Sequence, residues 1–248
     1  MANEFTMRVW RGDVSGGEFK EYKVESQEGM VVLDVMHTIQ ATQAPDLAVR
    51  WNCKAGKCGS CSAEINGKPR LMCMTRMNTF QPGQTITLAP IKTFPLIRDL
   101  VTDVSFNYEK AKQIPALKLK PKEADGTRRM YQEDVDRVQE FHKCIECYLC
   151  QDVCHVIRDH EDNKPEFIGP RFFVRMASLE MHPLDDEDRR ELLKMKAGLG
   201  YCNITKCCTE VCPELIHITD NAIIPLKERV VDKYYDPIKW ILDKVTGN

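Results

Sequence analysis

The chain has 248 residues, 43% hydrophobic and 29% charged, enough for one large domain or two ordinary ones with cores of their own. A formal net charge of −2 gives no electrostatic case for a nucleic-acid partner. No apolar run reaches the roughly eighteen residues that a membrane span needs, and Met1 to Phe5 carry Glu4 without an apolar segment, which argues against a secretory signal or an Arg-rich transit peptide.

The first hundred residues carry strand signals. Thr6–Trp10 and Phe19–Glu25 alternate apolar and polar residues around Ser15-Gly16-Gly17, a hairpin pattern. In Val31–Gln43, Val32, Val35, Met36 and Ile39 fall at helical spacing, so one helix is expected to pack on that sheet. Ser62–Ile65 and Lys68–Cys73 flank Asn66-Gly67, a strong hairpin dipeptide, and Gln84–Ala89 adds a further alternating strand. The order suits an α+β domain over residues 1–105. Leu96, Leu100 and Val104, four residues apart, predict an amphipathic helix.

The Lys- and Pro-rich stretch Ile114 to Arg129 reads as an extended connection, placing a connecting segment at 106–132. Residues 133–248 then read as helical, with helices expected at Val135–Lys143, Arg171–Met181, Asp185–Lys196, Ile218–Lys233 and Pro237–Val245. The acidic run Asp185-Asp186-Glu187-Asp188 is expected to be a solvated helix N-terminus.

Twelve cysteines are the anomaly in this composition. A chain expected in a reducing bacterial cytosol argues for metal ligation over disulfides. The cysteines also cluster, at 53–73, 144–154 and 202–212, as scattered core thiols would not.

The first set reads Cys53-Lys-Ala-Gly-Lys-Cys58-Gly-Ser-Cys61, with Cys73 twelve positions on: the C-x4-C-x2-C spacing of plant-type [2Fe–2S] ferredoxins. Three thiolates must converge from one tight loop, and Gly56 and Gly59 supply the backbone freedom and close approach this requires. Cys73 returns on the Asn66-Gly67 hairpin. The competing zinc site would show paired C-x2-C units on two turns rather than three ligands crowded on one loop.

The second set, Cys144-Ile-Glu-Cys147-Tyr-Leu-Cys150-Gln-Asp-Val-Cys154, is the run of bacterial ferredoxins, in which the fourth cysteine serves the other cluster. Its partner is Cys202-Asn-Ile-Thr-Lys-Cys207-Cys208-Thr-Glu-Val-Cys212-Pro213. Crossing the fourth ligands assigns Cys144, Cys147, Cys150 and Cys212 to a [4Fe–4S] cluster and leaves Cys154, Cys202 and Cys208, a set of three that fits [3Fe–4S]. Neighbours in sequence seldom both reach one small cluster, so Cys207 reads as a small buried hydrophobe. A second [4Fe–4S] cluster recruiting Cys207 is the alternative.

Three cysteine sets in this order resemble the iron–sulfur subunit of succinate dehydrogenase and fumarate reductase. The resemblance extends through Phe94-Pro95-Leu96-Ile97-Arg98-Asp99-Leu100 and Phe167-Ile168-Gly169-Pro170 and covers nearly the whole chain. It implies an N-terminal β-grasp [2Fe–2S] ferredoxin-like domain followed by an all-helical ferredoxin-like domain with [4Fe–4S] and [3Fe–4S] clusters. It implies an FAD-containing flavoprotein partner, with no flavin on this chain, and membrane-anchor subunits able to carry haem b. Electrons would run from flavin through the three clusters to a quinone near the [3Fe–4S] site as succinate is oxidised to fumarate in the tricarboxylic acid cycle, or from quinol to fumarate in a fumarate reductase. The chain would sit peripherally on the cytoplasmic face of the bacterial cell membrane.

The sequence also departs from the family. Many members have proline after the first [3Fe–4S] cysteine and tryptophans shortly beyond, where this chain has His155-Val156-Ile157-Arg158; Asn203 stands where some relatives have histidine. The family's quinone contacts therefore do not carry over. His155 is a candidate proton relay to quinone, weighed against an ordinary structural role. The chain has no flavin-binding glycine fingerprint and no paired acid–base constellation, so no catalysis is expected from it alone. The rival classes are a free soluble ferredoxin, a zinc-binding interaction module, and a cluster subunit of a soluble 2-hydroxyacid oxidase. Members of that last class generally lack a loop like Cys53–Cys73.

Overall fold

The computed structural model describes residues 3–238. It divides into two compact units. One holds the chain up to Tyr108 together with Ile145–Val153 and Val211–Pro213; the other holds Glu109–Cys144, Cys154–Glu210 and the stretch from Glu214.

The first unit is built on strands β1 (Asn3–Asp13), β2 (Gly16–Ser26), β3 (Ser62–Ile65), β4 (Lys68–Leu71), β5 (Thr85–Ala89), β6 (Leu96–Arg98) and β7 (Val101–Thr102). They form one sheet in the order β4-β3-β5-β1-β6-β7, with β2 paired to β1. Phe5, Met7 and Val9 point inward from β1 while Glu4 and Arg8 face solvent, the alternation expected of a half-buried strand. The first hairpin turns at Val14 and Ser15, with Gly16 and Gly17 already in β2; Asp13 Oδ1 accepts the Ser15 N–H at 2.8 Å. β1 and β5 run parallel from Thr6↔Thr85 to Val9↔Leu88. The connection between them passes through α1 (Val32–Thr42), which buries Val32, Leu33, Val35, Met36 and Ile39. Asp34 in its first turn accepts the Val31 N–H at 3.0 Å. A hairpin, a covering helix and a parallel pair of strands make the β-grasp arrangement.

The helix expected through Leu96, Leu100 and Val104 is instead the β6–β7 hairpin, followed by α2 (Ser105–Lys112). Asp99 decides this. Its backbone is left-handed (φ 51°) and its carboxylate is buried. That carboxylate accepts Arg11 Nε at 3.1 Å, Gly12 N at 3.0 Å and Ala48 N at 2.8 Å. A helix would withdraw it from all three donors.

The second unit contains α3 (Gln132–Gln139), continued by a 3₁₀ turn to Lys143. The short helix α4 (Leu149–Asp152) belongs to the first unit. The second unit goes on with α5 (His155–Arg158), α6 (Pro170–Glu180), α7 (Arg190–Met195), α8 (Cys207–Glu210) and α9 (Ile224–Tyr234). Helix α6 starts at Gly169-Pro170, with glycine at φ 85° and proline in the first turn where its missing N–H costs nothing. It buries Phe172, Phe173, Val174 and Met176. α9 is entered through a π-helical segment, Ile218–Ile223, within the range expected to be helical. The helix expected at Pro237–Val245 lies outside the described residues from 239 on.

Asp186 and Asp188 of the acidic run are solvated, but Asp185 is not. Asp185 and Arg189 form a buried ion pair at 2.8 Å, and α7 begins only at Arg190. Arg189 also donates from Nε to Pro115 O at 3.1 Å and from Nη2 to Ala116 O at 2.7 Å. With Lys120 N donating to Leu184 O at 2.9 Å, these bonds fasten the extended connection to the helical residues of its own unit.

Candidate functional site

In the loop of the first cysteine set, Lys54 (φ 54°), Gly56 (φ 66°) and Gly59 (φ 67°) are left-handed. This coiling turns backbone donors toward sulfur: Ala55 N and Lys57 N lie 3.4 and 3.3 Å from Cys53 Sγ. Cys61 precedes β3 and Cys73 follows β4, and the antiparallel register Ser62↔Leu71 brings them together, with Cys73 N donating to Cys61 Sγ at 3.4 Å. Burial pushes the Cys61 thiol up to about 12, and neighbouring Cys73 and Cys58 add to the shift. Burial also works on Cys58, but hydrogen bonds from Ser60 and Cys53 outweigh it and hold that thiol at about 7. Burial disfavours the Cys61 thiolate, and an iron core bound there would supply the positive charge that stabilises it. Donors aimed at sulfur and thiols that need positive charge fit a cluster.

The same device recurs in the second set, where Glu146 (φ 57°) and Tyr148 (φ 61°) are left-handed and Cys147 and Cys150 are buried. Cys147, Cys150 and Cys212 lie in the first unit, and Cys144 lies in the second. The Cys147 carbonyl accepts Ser62 Oγ at 2.9 Å, and the ring of Tyr148 packs edge-on against Phe94 with centroids 6.1 Å apart.

In the second unit Cys154, Cys202, Cys207 and Cys208 all line one hollow, with Thr205 and Thr219 on its wall. Ile204 (φ 63°) and Lys206 (φ 64°) are again left-handed. Burial pushes Cys154 up to about 12 and Cys208 up to about 11. Cys207, read from the sequence as a buried hydrophobe, is only half-buried and stands 3.3 Å from Thr205 Oγ1. His155 opens α5 and lines the hollow as well. Among the described residues no three His, Cys, Asp or Glu side chains close on one point as a single ion requires. The four cysteines line one hollow instead, an arrangement that a multi-iron core can use.

Five of the eight non-glycine residues with positive φ among the described residues sit in the three cysteine loops: Lys54, Glu146, Tyr148, Ile204 and Lys206. Composition gave no sign of them, because none is a residue type that favours this conformation.

A β-grasp sheet with one cysteine loop and a fold that presents two further cysteine runs define an iron–sulfur electron carrier of the ferredoxin type. Residues 6–109 match the family model of a 2Fe-2S iron-sulfur cluster binding domain, and residues 140–216 that of a 4Fe-4S dicluster domain. The fumarate reductase iron-sulfur subunit of Wolinella succinogenes is 34% identical over 86% of this chain and 92% of its own length. That of Mycobacterium tuberculosis is 31% identical over 81% of each. A chain in the solved Mycobacterium smegmatis Sdh1 complex in the apo form is 66% identical and superposes with a TM-score of 0.93, over 96% of this chain and 100% of that one. The chain belongs to the iron–sulfur subunits of the succinate dehydrogenase and fumarate reductase family, and it transfers electrons through iron–sulfur clusters in an oxidoreductase of that family.

Proposed function

We propose that the chain works in the direction of succinate oxidation, passing electrons from the FAD of a flavoprotein partner to a membrane quinone. The observation that supports this direction is the 66% identity, along nearly its whole length, to a chain of the Sdh1 complex. The fumarate reductase names of the curated relatives favour the reverse direction as the second reading.

The ligand sets follow the cysteine register. Cys53, Cys58, Cys61 and Cys73 hold [2Fe–2S]; Cys144, Cys147, Cys150 and Cys212 hold [4Fe–4S]; Cys154, Cys202 and Cys208 hold [3Fe–4S]. The clusters supply one-electron steps that link a two-electron dicarboxylate oxidation to quinone. The protein's own contribution is tuning. The N–H groups of Ala55 and Lys57 at Cys53 Sγ stabilise the negative charge on that thiolate, while burial of Cys61, Cys154 and Cys208 favours the less charged state of each core. Quinone binds near the third cluster, at an anchor that can carry haem b, and the chain sits peripherally on the cytoplasmic face of the membrane. The described residues contain no helix long and apolar enough to cross one.

The test is anaerobic purification of the native complex. About nine non-haem irons are expected, the sum of the three cores. An EPR signal from oxidised [3Fe–4S] should be present, and a [2Fe–2S] signal should appear on reduction by succinate. Zinc with little iron would end this reading, and fumarate reduction much faster than succinate oxidation would select the second direction.

A further inference from the structure

The third cysteine set holds one thiol more than a three-iron core uses. Resting on the reading of Cys154, Cys202 and Cys208 as [3Fe–4S] ligands, we infer that Cys207 is a facultative fourth ligand. It captures a ferrous ion and converts that site reversibly to [4Fe–4S].

Cys207 lines the same hollow as the other three thiols. The sequence objection to adjacent cysteines on one cluster assumes a regular helix, whose neighbouring side chains stand about 100° apart. Here Lys206 is left-handed (φ 64°) and α8 begins at Cys207 itself. The chain turns immediately before the pair, so both side chains meet the hollow. Two thiols diverging in this way cannot share a point but can flank a core several ångströms across.

The two cysteines are not equivalent. Cys208 is buried, with Thr219 Oγ1 3.5 Å from its sulfur. Cys207 is half-buried, with its sulfur 3.3 Å from the hydroxyl of Thr205, itself exposed. Half-buried beside an exposed threonine, Cys207 has a hydroxyl partner when no iron is bound, so iron can enter and leave by that corner.

The step balances. The one-electron-reduced [3Fe–4S] core contains two ferric irons and one ferrous iron; adding one Fe²⁺ yields [4Fe–4S]²⁺, with two of each and no further electron. Cys207 loses its thiol proton to solvent and forms the new Fe–S bond. The electron that prepares the core comes from the subunit's own electron flow. One-electron oxidation of the product by an added oxidant such as ferricyanide releases Fe²⁺ and restores oxidised [3Fe–4S]. Because core type sets potential, this exchange would gate electron exit according to iron supply.

The test uses the purified native complex, wild-type and Cys207→Ser. Each is reduced with dithionite, incubated anaerobically with ferrous salt, desalted and then mildly oxidised without releasing bound iron. The wild type should lose most of its oxidised [3Fe–4S] EPR signal while non-haem iron rises from about nine to about ten per complex. Ferricyanide should restore the signal. Cys207→Ser should keep both signal and iron count through the same treatment, its initial signal showing that it folds and carries the core. Equal conversion of both proteins, or none in the wild type, overturns the inference. If wild type lacks the signal before treatment while Cys207→Ser shows it, Cys207 is a permanent ligand and the exchange is wrong. If neither shows it, the three-ligand reading fails and the exchange with it.

Discussion

Gly59 and Cys147 meet backbone to backbone. A Cβ on Gly59 would stand 2.5 Å from Cys147 Cα and 2.8 Å from its nitrogen, and Ser62 Oγ donates to the Cys147 carbonyl at 2.9 Å. Within the first unit the loop of the first cysteine set therefore lies directly on the second run. A one-electron carrier needs such an approach, because a side chain or a water layer inserted there would lengthen the step between cores.

Gly59→Ala should damage this contact. The substitution costs about 1–2 kcal/mol for a left-handed alanine, and backbone atoms of Cys147 cannot swing aside as a flexible side chain would. Gly67 is the control: it has φ 73° and nothing within 4 Å of an added Cβ, so Gly67→Ala carries the conformational cost alone. The [2Fe–2S] and [4Fe–4S] EPR signals should fall in Gly59→Ala and stay near wild type in Gly67→Ala, with the [3Fe–4S] signal retained in both. Equal losses would mean that backbone strain, not the contact, matters.

Cys208→Ser should abolish the oxidised [3Fe–4S] signal, and Cys207→Ser should leave all three clusters in the protein as purified. The basis is the Cys208-x3-Cys212-Pro213 register. Low-temperature EPR of the two variants decides it. The opposite pair of outcomes would put the register off by one.

Much of this arrangement was legible because it depends on local chemistry. Asn66-Gly67 sits in its turn with both residues left-handed, and β3 spans Ser62–Ile65, as the hairpin dipeptide predicts. The cysteine spacing exposed the cluster chemistry because thiolates must converge from tight loops. Three features escaped. Leu96, Leu100 and Val104 mimic a helix, but Asp99 binds donors from Arg11, Gly12 and Ala48, partners distant in sequence that no local period reveals. Asp185 belongs with Arg189 in the interior, whereas in sequence it is indistinguishable from its solvated acidic neighbours. Cys207 reaches the hollow because Lys206 is left-handed, and lysine carries no sign of that.

The Asp185–Arg189 pair predicts both a mutational and an acid effect. Burial alone would raise the Asp185 carboxyl, but the N–H groups of Glu187 and Lys118 and the Arg189 guanidinium outweigh it and hold it below the usual carboxylate range. A carboxyl depressed in the folded state contributes stability that is complete above its unfolded value, about 4. That contribution is lost as pH falls through the folded value. Asp185→Asn leaves Arg189 buried without its counter-charge and should cost about 3–5 kcal/mol at pH 7. Urea unfolding of the complex followed at the helical unit should show that deficit at pH 7 and a smaller one near pH 3. A deficit independent of pH would assign the loss to packing rather than charge.

The last prediction concerns what the chain cannot do alone. It has no flavin-binding glycine fingerprint and no paired acid–base groups for dicarboxylate chemistry. Isolated and loaded with its clusters, it should accept and release electrons yet leave succinate unoxidised; activity should appear only when a flavin-bearing subunit is added. No helix among the described residues is long and apolar enough to cross a membrane, and under the proposed function an anchor subunit retains the chain there. Cells lacking that anchor should yield this chain in the soluble fraction, still bound to the flavoprotein and able to pass electrons from succinate to a soluble dye. Dye reduction by the isolated chain would reveal a catalytic site that these residues do not suggest. Membrane retention without the anchor would point to an interfacial segment of its own.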